Sequence, residues 1–281
     1  MISKSVLDQI RNGVCAVGYS TVPKEKYLED TNRPYFKVHG TGFLVRHSTV
    51  LTNRHVIEKM YKLQREDGFP SNQIRLQFVY PAGADKWSVV LCRFVHLSIA
   101  QDLDIALVEI DPKNDLGPCH PLSLGDLSSL AVTEPVSVCG YPYGTSMLAP
   151  NGTVSRFGPV VNQGCISAIS PYDVSSRVDG LLLDVRTAGG MSGSPVFRPT
   201  DGSVIGILYG GWEATTAVAI PIDDQRVQKW LDGHDQSRTQ AAQSGADGKT
   251  KTAKESSDSP APLAVMRAGA GEERASANNG G

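Results

Sequence analysis

Residues 187–197 read TAGGMSGSPVF, which places Ser192 in a glycine-rich turn directly before a short apolar strand. Two earlier stretches belong with it. Residues 40–56 read GTGFLVRHSTVLTNRHV, an apolar strand, a turn, a second strand and then a histidine. Residues 102–110 read DLDIALVEI, in which an aspartate begins another apolar strand. The chain therefore carries a histidine, an aspartate and a serine in this order, each beside a strand, and this pattern favours an all-β fold.

These three side chains are the parts that acyl transfer requires. A serine hydroxyl is a weak nucleophile unless a neighbouring base removes its proton, and a neutral imidazole can do so near neutral pH. A buried carboxylate holds the imidazole in the required tautomer and stabilises its protonated form. The sequence thus predicts Ser192 as nucleophile, His55 as general base and acid, and Asp104 as the group that orients His55.

The turn around Ser192 predicts a second element of the chemistry. A tetrahedral intermediate carries an oxyanion, which needs preorganised hydrogen-bond donors. The backbone N–H groups of Gly190 and Ser192 converge if the turn is tight, and glycine permits the backbone conformation that a side chain would resist. We therefore expect these two amides to form an oxyanion hole.

The rest of the ordered chain alternates short β-branched runs with turn residues, and 28 Gly and 17 Pro indicate many turns. About a dozen strand candidates fall into two sets, at about 12–111 and about 135–222, separated by a connection rich in Pro, Asp and Ser. This spacing predicts two six-stranded antiparallel β-barrels. Residues 223–232 have helical spacing and predict a short C-terminal helix packed on the second barrel.

The composition changes near residue 233. Residues 1–232 form the predicted folded domain, whereas residues 233–281 are rich in Ala, Gly, Ser, Gln, Lys and Glu. Such a segment has almost nothing to bury and cannot offset the entropy of ordering, so we expect a disordered tail. A solvated extension is the simple interpretation, and a docking or processing role is the alternative.

Charge and hydropathy exclude several kinds of partner. The net charge of the 281 residues is −2, so no basic excess is available to neutralise phosphates, and no nucleic acid is expected. No apolar run reaches the roughly 18 residues that a membrane helix needs, and the N-terminal residues lack the features of a secretory signal. We expect a cytoplasmic protein without a membrane contact.

The cysteines agree with a reducing compartment. There are five, an odd number, at spacings that match neither a disulfide framework nor a zinc ligand set. We interpret them as buried thiols that behave as small apolar residues. Cys119 and His120 are adjacent but lack further ligands, so the sequence predicts no metal and no cofactor.

The segments GTGFLV, TNRHV, DIALVEI and GxSGxP, in this order, resemble the trypsin-like, chymotrypsin-fold serine peptidase superfamily. They are most similar to the bacterial HtrA/Deg-type protease domain, and VCGYPYG, GCISAIS and TAVAIPID extend the similarity over about residues 12–231. The resemblance implies a serine endopeptidase acting on polypeptides. Asp104 is preferred to Asp102 because it directly precedes the apolar run, as in the family motif.

Two departures from this family bear on regulation. HtrA-type proteins usually carry a PDZ domain after the protease, and the residues after 232 are too few for one. Secreted relatives have an aspartate before the nucleophile, which pairs with a freshly cut N-terminus, whereas this chain has Met191. A thioether cannot form an ion pair. We therefore expect either a site that is always formed or one that a loop or an activating protein partner orders.

Substrate binding also follows from the resemblance. A peptide is expected to add as an antiparallel strand beside Tyr209–Gly211, where Gly210 and Gly211 leave room for its backbone. The pocket for the P1 side chain should be walled by Thr187–Gly189 and by residues 216–218.

Arg186 stands where relatives that cleave after basic residues keep an acidic one. If Arg186 faces the pocket, it disfavours Lys and Arg at P1 and favours an acidic P1 side chain. Alternatively it pairs with Asp184, two residues earlier on the same strand face, and a small or aliphatic P1 is then expected.

Two other functions compete with hydrolysis of peptide bonds. One is a non-catalytic peptide-binding module on the same fold, which the complete set of three side chains disfavours. The other is an α/β-hydrolase esterase, which requires alternating helices and strands and places serine before the acid and histidine. The order here is the reverse.

Overall fold

The computed structural model describes most of the chain up to Asp247. The described residues are 2–29, 33, 35–70, 73–82, 87–100, 103–142, 144–148, 154–156, 158–171, 178–212 and 216–247. Within them, strands dominate and the predicted all-β class is confirmed.

The first half of the chain forms one antiparallel sheet of seven strands. They are β1 (Val14–Ser20), β2 (Phe36–Arg46), β3 (Thr49–Thr52), β4 (Ile74–Pro81), β5 (Trp87–Cys92), β6 (Phe94–Ile99) and β7 (Ala106–Ile110). The order across the sheet is β5-β4-β1-β2-β3-β7-β6. All seven residues of β1 are buried, which follows from its position between β4 and β2 and against α3.

This sheet corrects the prediction of two closed barrels. Its edge strands β5 and β6 do not pair with each other among the described residues. Instead Arg93 alone connects them, because Cys92 pairs with β4 at one edge and Phe94 pairs with β7 at the other. The apolar run at residues 87–97 is thus divided into two strands where the chain turns a corner between the edges of the sheet. The sheet is a curled half-barrel.

The second half forms the closed barrel that the sequence predicts. Its six strands are β8 (Pro135–Gly140), β11 (Val160–Ser170), β12 (Gly180–Asp184), β13 (Pro195–Phe197), β14 (Val204–Trp212) and β15 (Thr216–Pro221). They close in the order β11-β12-β15-β14-β13-β8. Two short strands, β9 (Ser146–Leu148) and β10 (Val154–Arg156), pair beside the barrel.

Helices are more numerous than predicted. In addition to the C-terminal helix there are α1 (Lys4–Gly13), α2 (Lys24–Glu29) and α3 (Arg54–Asp67). Ser3 caps α1 by accepting a hydrogen bond from the Val6 amide, and Gly68 ends α3 in the left-handed conformation. None of the helices in the described residues is long and apolar enough to cross a membrane.

The C-terminal helix is longer than the sequence suggests. Helix α4 runs over Asp224–Asp247, whereas the prediction ended it at residue 232. Asp235 lies beyond the predicted end and its Oδ2 is 3.0 Å from Nη1 of Arg46, so the extension is tied to β2. Residues 233–247 thus continue α4 where the sequence predicts the start of a disordered tail, and residues 248–281 lie outside the described residues.

The two halves share a core. One cluster of buried side chains includes Phe43 and Leu51 from the sheet and Tyr141 and Phe197 from the barrel half. We refer to this contact between sheet and barrel as the seam. It brings the end of β3 and the start of α3 close to the residues that precede β13.

Candidate active site

His55 is the second residue of α3, just after β3 ends at Thr52. Its Nδ1 lies 2.6 Å from Oδ2 of Asp104, and its backbone amide donates to Oδ1 of the same carboxylate at 2.9 Å. Amides in the first turn of a helix have no partner within the helix, so the carboxylate supplies one that the fold needs. The Asp104 side chain is 11% exposed and that of His55 41%, so the acid is shielded while the ring opens to solvent.

Neighbouring residues hold Asp104 in place. Asn53 donates from Nδ2 to the Asp104 carbonyl at 3.0 Å, and Nε of Arg54 lies 3.9 Å from Oδ1 of Asp104. Of the residues that contact Asp104, only His55 was predicted from the sequence; Asn53 and Arg54 were not. Asp102, the competing candidate, lies outside the described residues.

The glycine-rich turn (residues 189–194) sorts its amide groups into two kinds. The amides of Met191, Gly193 and Ser194 donate to the carbonyls of Ala188, Leu208 and Met191 at 3.1, 2.8 and 3.0 Å. Those of Gly190 and Ser192, the predicted oxyanion donors, have no acceptor among the described residues. The amide of the exposed Gly189 also has no acceptor among the described residues, but Gly190 and Ser192 are partly buried. Backbone amides in a packed turn are nearly always paired, so the unpaired amides of Gly190 and Ser192 mark a place where a ligand is expected.

Two glycines give this turn its shape. Gly190 has φ +98°, and a Cβ there would come within 2.5 Å of the Tyr141 carbonyl. Gly193 has φ +88°, and a Cβ there would lie 2.0 Å from the Thr41 carbonyl. Both the left-handed conformation and the close approach of other backbone therefore require glycine at these positions.

The two parts of the site meet across the seam. The His55 ring, from the first half, packs edge-on against Tyr209 of β14, with ring centroids 5.5 Å apart. Leu208, the residue before Tyr209, accepts the amide of Gly193, the residue after Ser192. The histidine and the turn that carries the serine thus contact neighbouring residues of β14.

A family model for a trypsin-like peptidase domain matches residues 40–207, more than half of the chain. The chain belongs to the trypsin-like peptidase family. The resemblance that GTGFLV, TNRHV, DIALVEI and GxSGxP predict is therefore confirmed.

Relatives of this trypsin-like peptidase are named proteases. A mitochondrial protease Do-like 4 of Arabidopsis thaliana is 32% identical over 130 residues, covering 44% of this chain and 20% of that protein. A glutamyl endopeptidase of Staphylococcus epidermidis is 27% identical over 209 residues, covering 70% of this chain and 64% of that protein. The chain spans less than two thirds of the length of each.

A solved structure has the same fold. The crystal structure of Deg5 superposes on this trypsin-like peptidase with a TM-score of 0.51 and 19% sequence identity, covering 80% of this chain and 90% of that one.

The predicted substrate side of the site is open. A Cβ on Gly211 would lie 2.3 Å from Oγ1 of Thr187, so these two residues face each other at close range. A Cβ on Gly189 or Gly210 would meet nothing within 4 Å, which leaves free space beside both. Tyr209 itself is 47% exposed and can touch a bound chain.

Arg186 is exposed, and its carbonyl accepts a hydrogen bond from Nδ2 of Asn162 at 2.8 Å. The alternative ion pair with Asp184 is not formed within the part of the chain that the structure describes. Strand β12 ends at Asp184, so Arg186 lies beyond the regular alternation that would have brought the two side chains together.

Met191 occupies the position that holds an aspartate in secreted relatives. It is 1% exposed and packs in the barrel core with Val138, Val185 and Leu208. Its sulfur lies 4.0 Å from Nδ2 of Asn162, a weak contact without charge. Among the described residues, no group of three His, Cys, Asp or Glu side chains is arranged to hold a metal ion.

Thr41 was not predicted as a site residue from the sequence, although it lies in GTGFLV, one of the segments that carry the family resemblance. Thr41 is fully buried, and its hydroxyl donates to the Gly190 carbonyl at 2.8 Å. A hydroxyl between two glycines in an apolar strand is an unusual local choice and was the available signal. Its partner is 149 residues away, so the sequence could not have named it.

Proposed function

We propose that this chain is a serine endopeptidase that hydrolyses peptide bonds through an acyl-enzyme on Ser192. The observation that carries the proposal is the pair of hydrogen bonds from His55 to Asp104, at 2.6 and 2.9 Å. Because Nδ1 faces the carboxylate, Nε2 of His55 is left to take the proton from the Ser192 hydroxyl. Asp104 then stabilises the imidazolium.

The reaction has two halves. Ser192 Oγ attacks the carbonyl carbon of the peptide, and its proton passes to His55, which then gives it to the leaving amine. A water molecule then attacks the resulting ester: His55 takes the proton of the water and gives it to Ser192 Oγ as the ester bond breaks. In both steps the negative charge develops on the former carbonyl oxygen, next to the unpaired amides of Gly190 and Ser192. One such donor is typically worth about 2.7–4 kcal/mol of transition-state stabilisation.

The substrate is a polypeptide that binds as an antiparallel strand beside Tyr209, Gly210 and Gly211. The space beside Gly210 accommodates its backbone, and the gap bounded by Thr187 and Gly189 receives the P1 side chain. Between the two P1 preferences, the exposed Arg186 without an ion pair to Asp184 favours an acidic side chain. The relative named glutamyl endopeptidase agrees with this choice.

The site is proposed to form without an activating partner. All backbone amides of Met191, Gly193 and Ser194 have acceptors within the chain, so the turn is complete without a further group. The five cysteines are free thiols, which supports the proposal of a reducing, cytoplasmic location. Activity of the purified chain alone tests the first statement, and fractionation of cells tests the second.

Labelling with a fluorophosphonate tests the proposed function. We expect one adduct, on Ser192, in folded wild-type protein and none in Ser192→Ala, together with peptide hydrolysis only by the wild type. Absence of an adduct in folded protein would instead support the non-catalytic peptide-binding module. A positional peptide library then decides P1: cleavage after Asp or Glu supports Arg186 as a pocket residue, and cleavage after small or aliphatic residues contradicts it.

A further inference from the structure

Thr41 is fully buried in β2 at the seam and uses all three of its polar groups there. Its amide donates to the Ser192 carbonyl at 2.8 Å, and its hydroxyl donates to the Gly190 carbonyl at 2.8 Å. Its own carbonyl accepts the hydroxyl of Thr52 at 2.7 Å. A single residue of the first half thus holds two carbonyls of the glycine-rich turn in the second half.

The direction of the hydroxyl bond is determined. A threonine hydroxyl has one hydrogen, and the Tyr141 amide, at 3.1 Å, can only donate to its oxygen. The hydrogen is therefore available for the Gly190 carbonyl alone. Thr52 fixes the Thr41 backbone from the other side, so the hydroxyl cannot relax away from the turn without breaking further bonds.

The turn needs such an external contact. Gly189 and Gly190 follow each other, and neither has a Cβ to restrict its backbone, so local sterics do not select one orientation of the peptide planes. The peptide between Gly190 and Met191 stands between the two unpaired amides. Its carbonyl is held by Thr41 and its N–H by the Ala188 carbonyl at 3.1 Å. Met191 itself is buried among apolar side chains and offers no charge to anchor the turn.

We propose that Thr41 is the positioning residue that keeps the amides of Gly190 and Ser192 directed at the oxyanion. This inference rests on the proposed function. It concerns stabilisation of the transition state only, because Thr41 is buried behind the turn and does not reach the substrate side. Loss of its hydroxyl should therefore lower kcat and leave KM nearly unchanged.

The experiment compares Thr41→Val, Thr41→Ser and Thr145→Val with wild type. Thr145 is a matched control, since it is 1% exposed and its hydroxyl donates to Oε1 of Gln77 at 2.8 Å, away from the turn. We expect Thr41→Val to lose about 10- to 100-fold in kcat per active site with KM within about threefold. Thr41→Ser restores the hydroxyl and should stay within about threefold of wild type, as should Thr145→Val.

A second measurement separates positioning from folding. A peptide boronic acid based on a cleaved sequence forms a tetrahedral adduct with Ser192, so its affinity depends on the same two amides. Its inhibition constant should rise for Thr41→Val by the factor lost in kcat. Fluorophosphonate titration counts the folded sites, so that a merely unstable variant shows fewer sites with unchanged constants.

Four outcomes overturn the inference. Wild-type kcat and boronate affinity in Thr41→Val show that the hydroxyl does not position the turn. Loss confined to the number of sites, or equal loss in Thr41→Ser, assigns Thr41 a structural role. If wild type and Ser192→Ala cleave equally, the proposed function fails and this inference with it, whereas hydrolysis lost only in Ser192→Ala leaves the proposed function intact.

Discussion

Asp104 contacts His55 through both of its carboxylate oxygens: Oδ2 lies 2.6 Å from Nδ1 of the ring, and Oδ1 accepts a hydrogen bond from the backbone amide at 2.9 Å. The same side chain therefore closes the first turn of α3 and fixes the orientation of the imidazole. The start of α3 and the proposed chemistry thus depend on one carboxylate, because Asp104 both accepts the His55 amide in the first turn of the helix and orients the His55 ring.

Asp104→Asn separates these two tasks. An amide oxygen still accepts the His55 amide, so the protein should remain folded, but the amide nitrogen opposite Nδ1 favours the wrong tautomer. We expect kcat to fall by about ten-thousand-fold with the melting temperature nearly unchanged. Peptide hydrolysis and thermal unfolding measure the two effects. Activity above about a tenth of wild type would contradict the assigned role.

Gly190→Ala tests the shape of the turn, with Gly189→Ala as control. An alanine at Gly190 adopts φ +98° and places its Cβ 2.5 Å from the Tyr141 carbonyl, whereas at Gly189 the added Cβ meets nothing within 4 Å. Urea denaturation should show a loss of about 1–3 kcal/mol for Gly190→Ala and little change for Gly189→Ala. Equal stability of the two variants would argue against this conformation.

Tyr209 should affect His55 through packing. The rings are 5.5 Å apart with planes at 75°, an edge contact that does not use the phenol hydroxyl. Tyr209→Phe should therefore keep nearly full activity, while Tyr209→Ala should lower kcat/KM by about 2- to 10-fold, the usual worth of an aromatic pair. Steady-state kinetics on a peptide substrate decide this, and a large loss in Tyr209→Phe would point to the hydroxyl instead.

The cysteines should differ in reactivity. Burial raises the pKa of the Cys92, Cys119 and Cys139 thiols to about 12, and that of Cys15 well above its usual value. Only Cys165 is partly exposed. A disulfide reagent at pH 8 should thus titrate one thiol in native protein and five after unfolding, because the thiolate is the reacting form. Cys165→Ser should remove the native reaction, and rapid reaction of several thiols would contradict the burial.

Thr133 offers a route to higher stability. It has φ +72°, which is unfavourable for a β-branched residue, while its amide donates to the Ile166 carbonyl at 2.7 Å. Asparagine tolerates this conformation and keeps the amide, so Thr133→Asn should raise the free energy of unfolding by about 0.5–1 kcal/mol. Thr133→Val, equally branched, is the control and should not stabilise. Chemical denaturation compares the two.

Much of the fold was predictable because its elements have local signatures. Residues 14–20 were predicted as a strand and form β1, and the six strands of the barrel fall where β-branched runs lie between turns. His55, Asp104 and the turn around Ser192 could be proposed as site residues for a similar reason, because each stands in a short sequence motif.

The predicted and observed elements differ where contacts between residues distant in the sequence determine the local structure. The sequence did not predict the helix that carries His55; the chain leaves the sheet at Thr52 because the Asp104 carboxylate, far along the sequence, supports the start of α3. The break at Arg93 depends on which strand each side pairs with, and the extension of α4 on the contact between Asp235 and Arg46. Thr41 was not predicted for the same reason, because its partner Gly190 is 149 residues away in the sequence. None of these partners is visible in a local pattern.

The proposed catalytic residues come from both halves of the chain, since His55 and Asp104 lie in the half that forms the curled sheet and Ser192 in the half that forms the barrel. A cut within the connection at residues 112–134 leaves two fragments, each with a complete sheet and an incomplete site. By the proposed mechanism neither fragment alone hydrolyses a peptide, so hydrolysis by the mixture would report reassembly of the halves. The two halves are thus suited to a split-enzyme complementation assay, in which association of two polypeptides is measured as peptide hydrolysis.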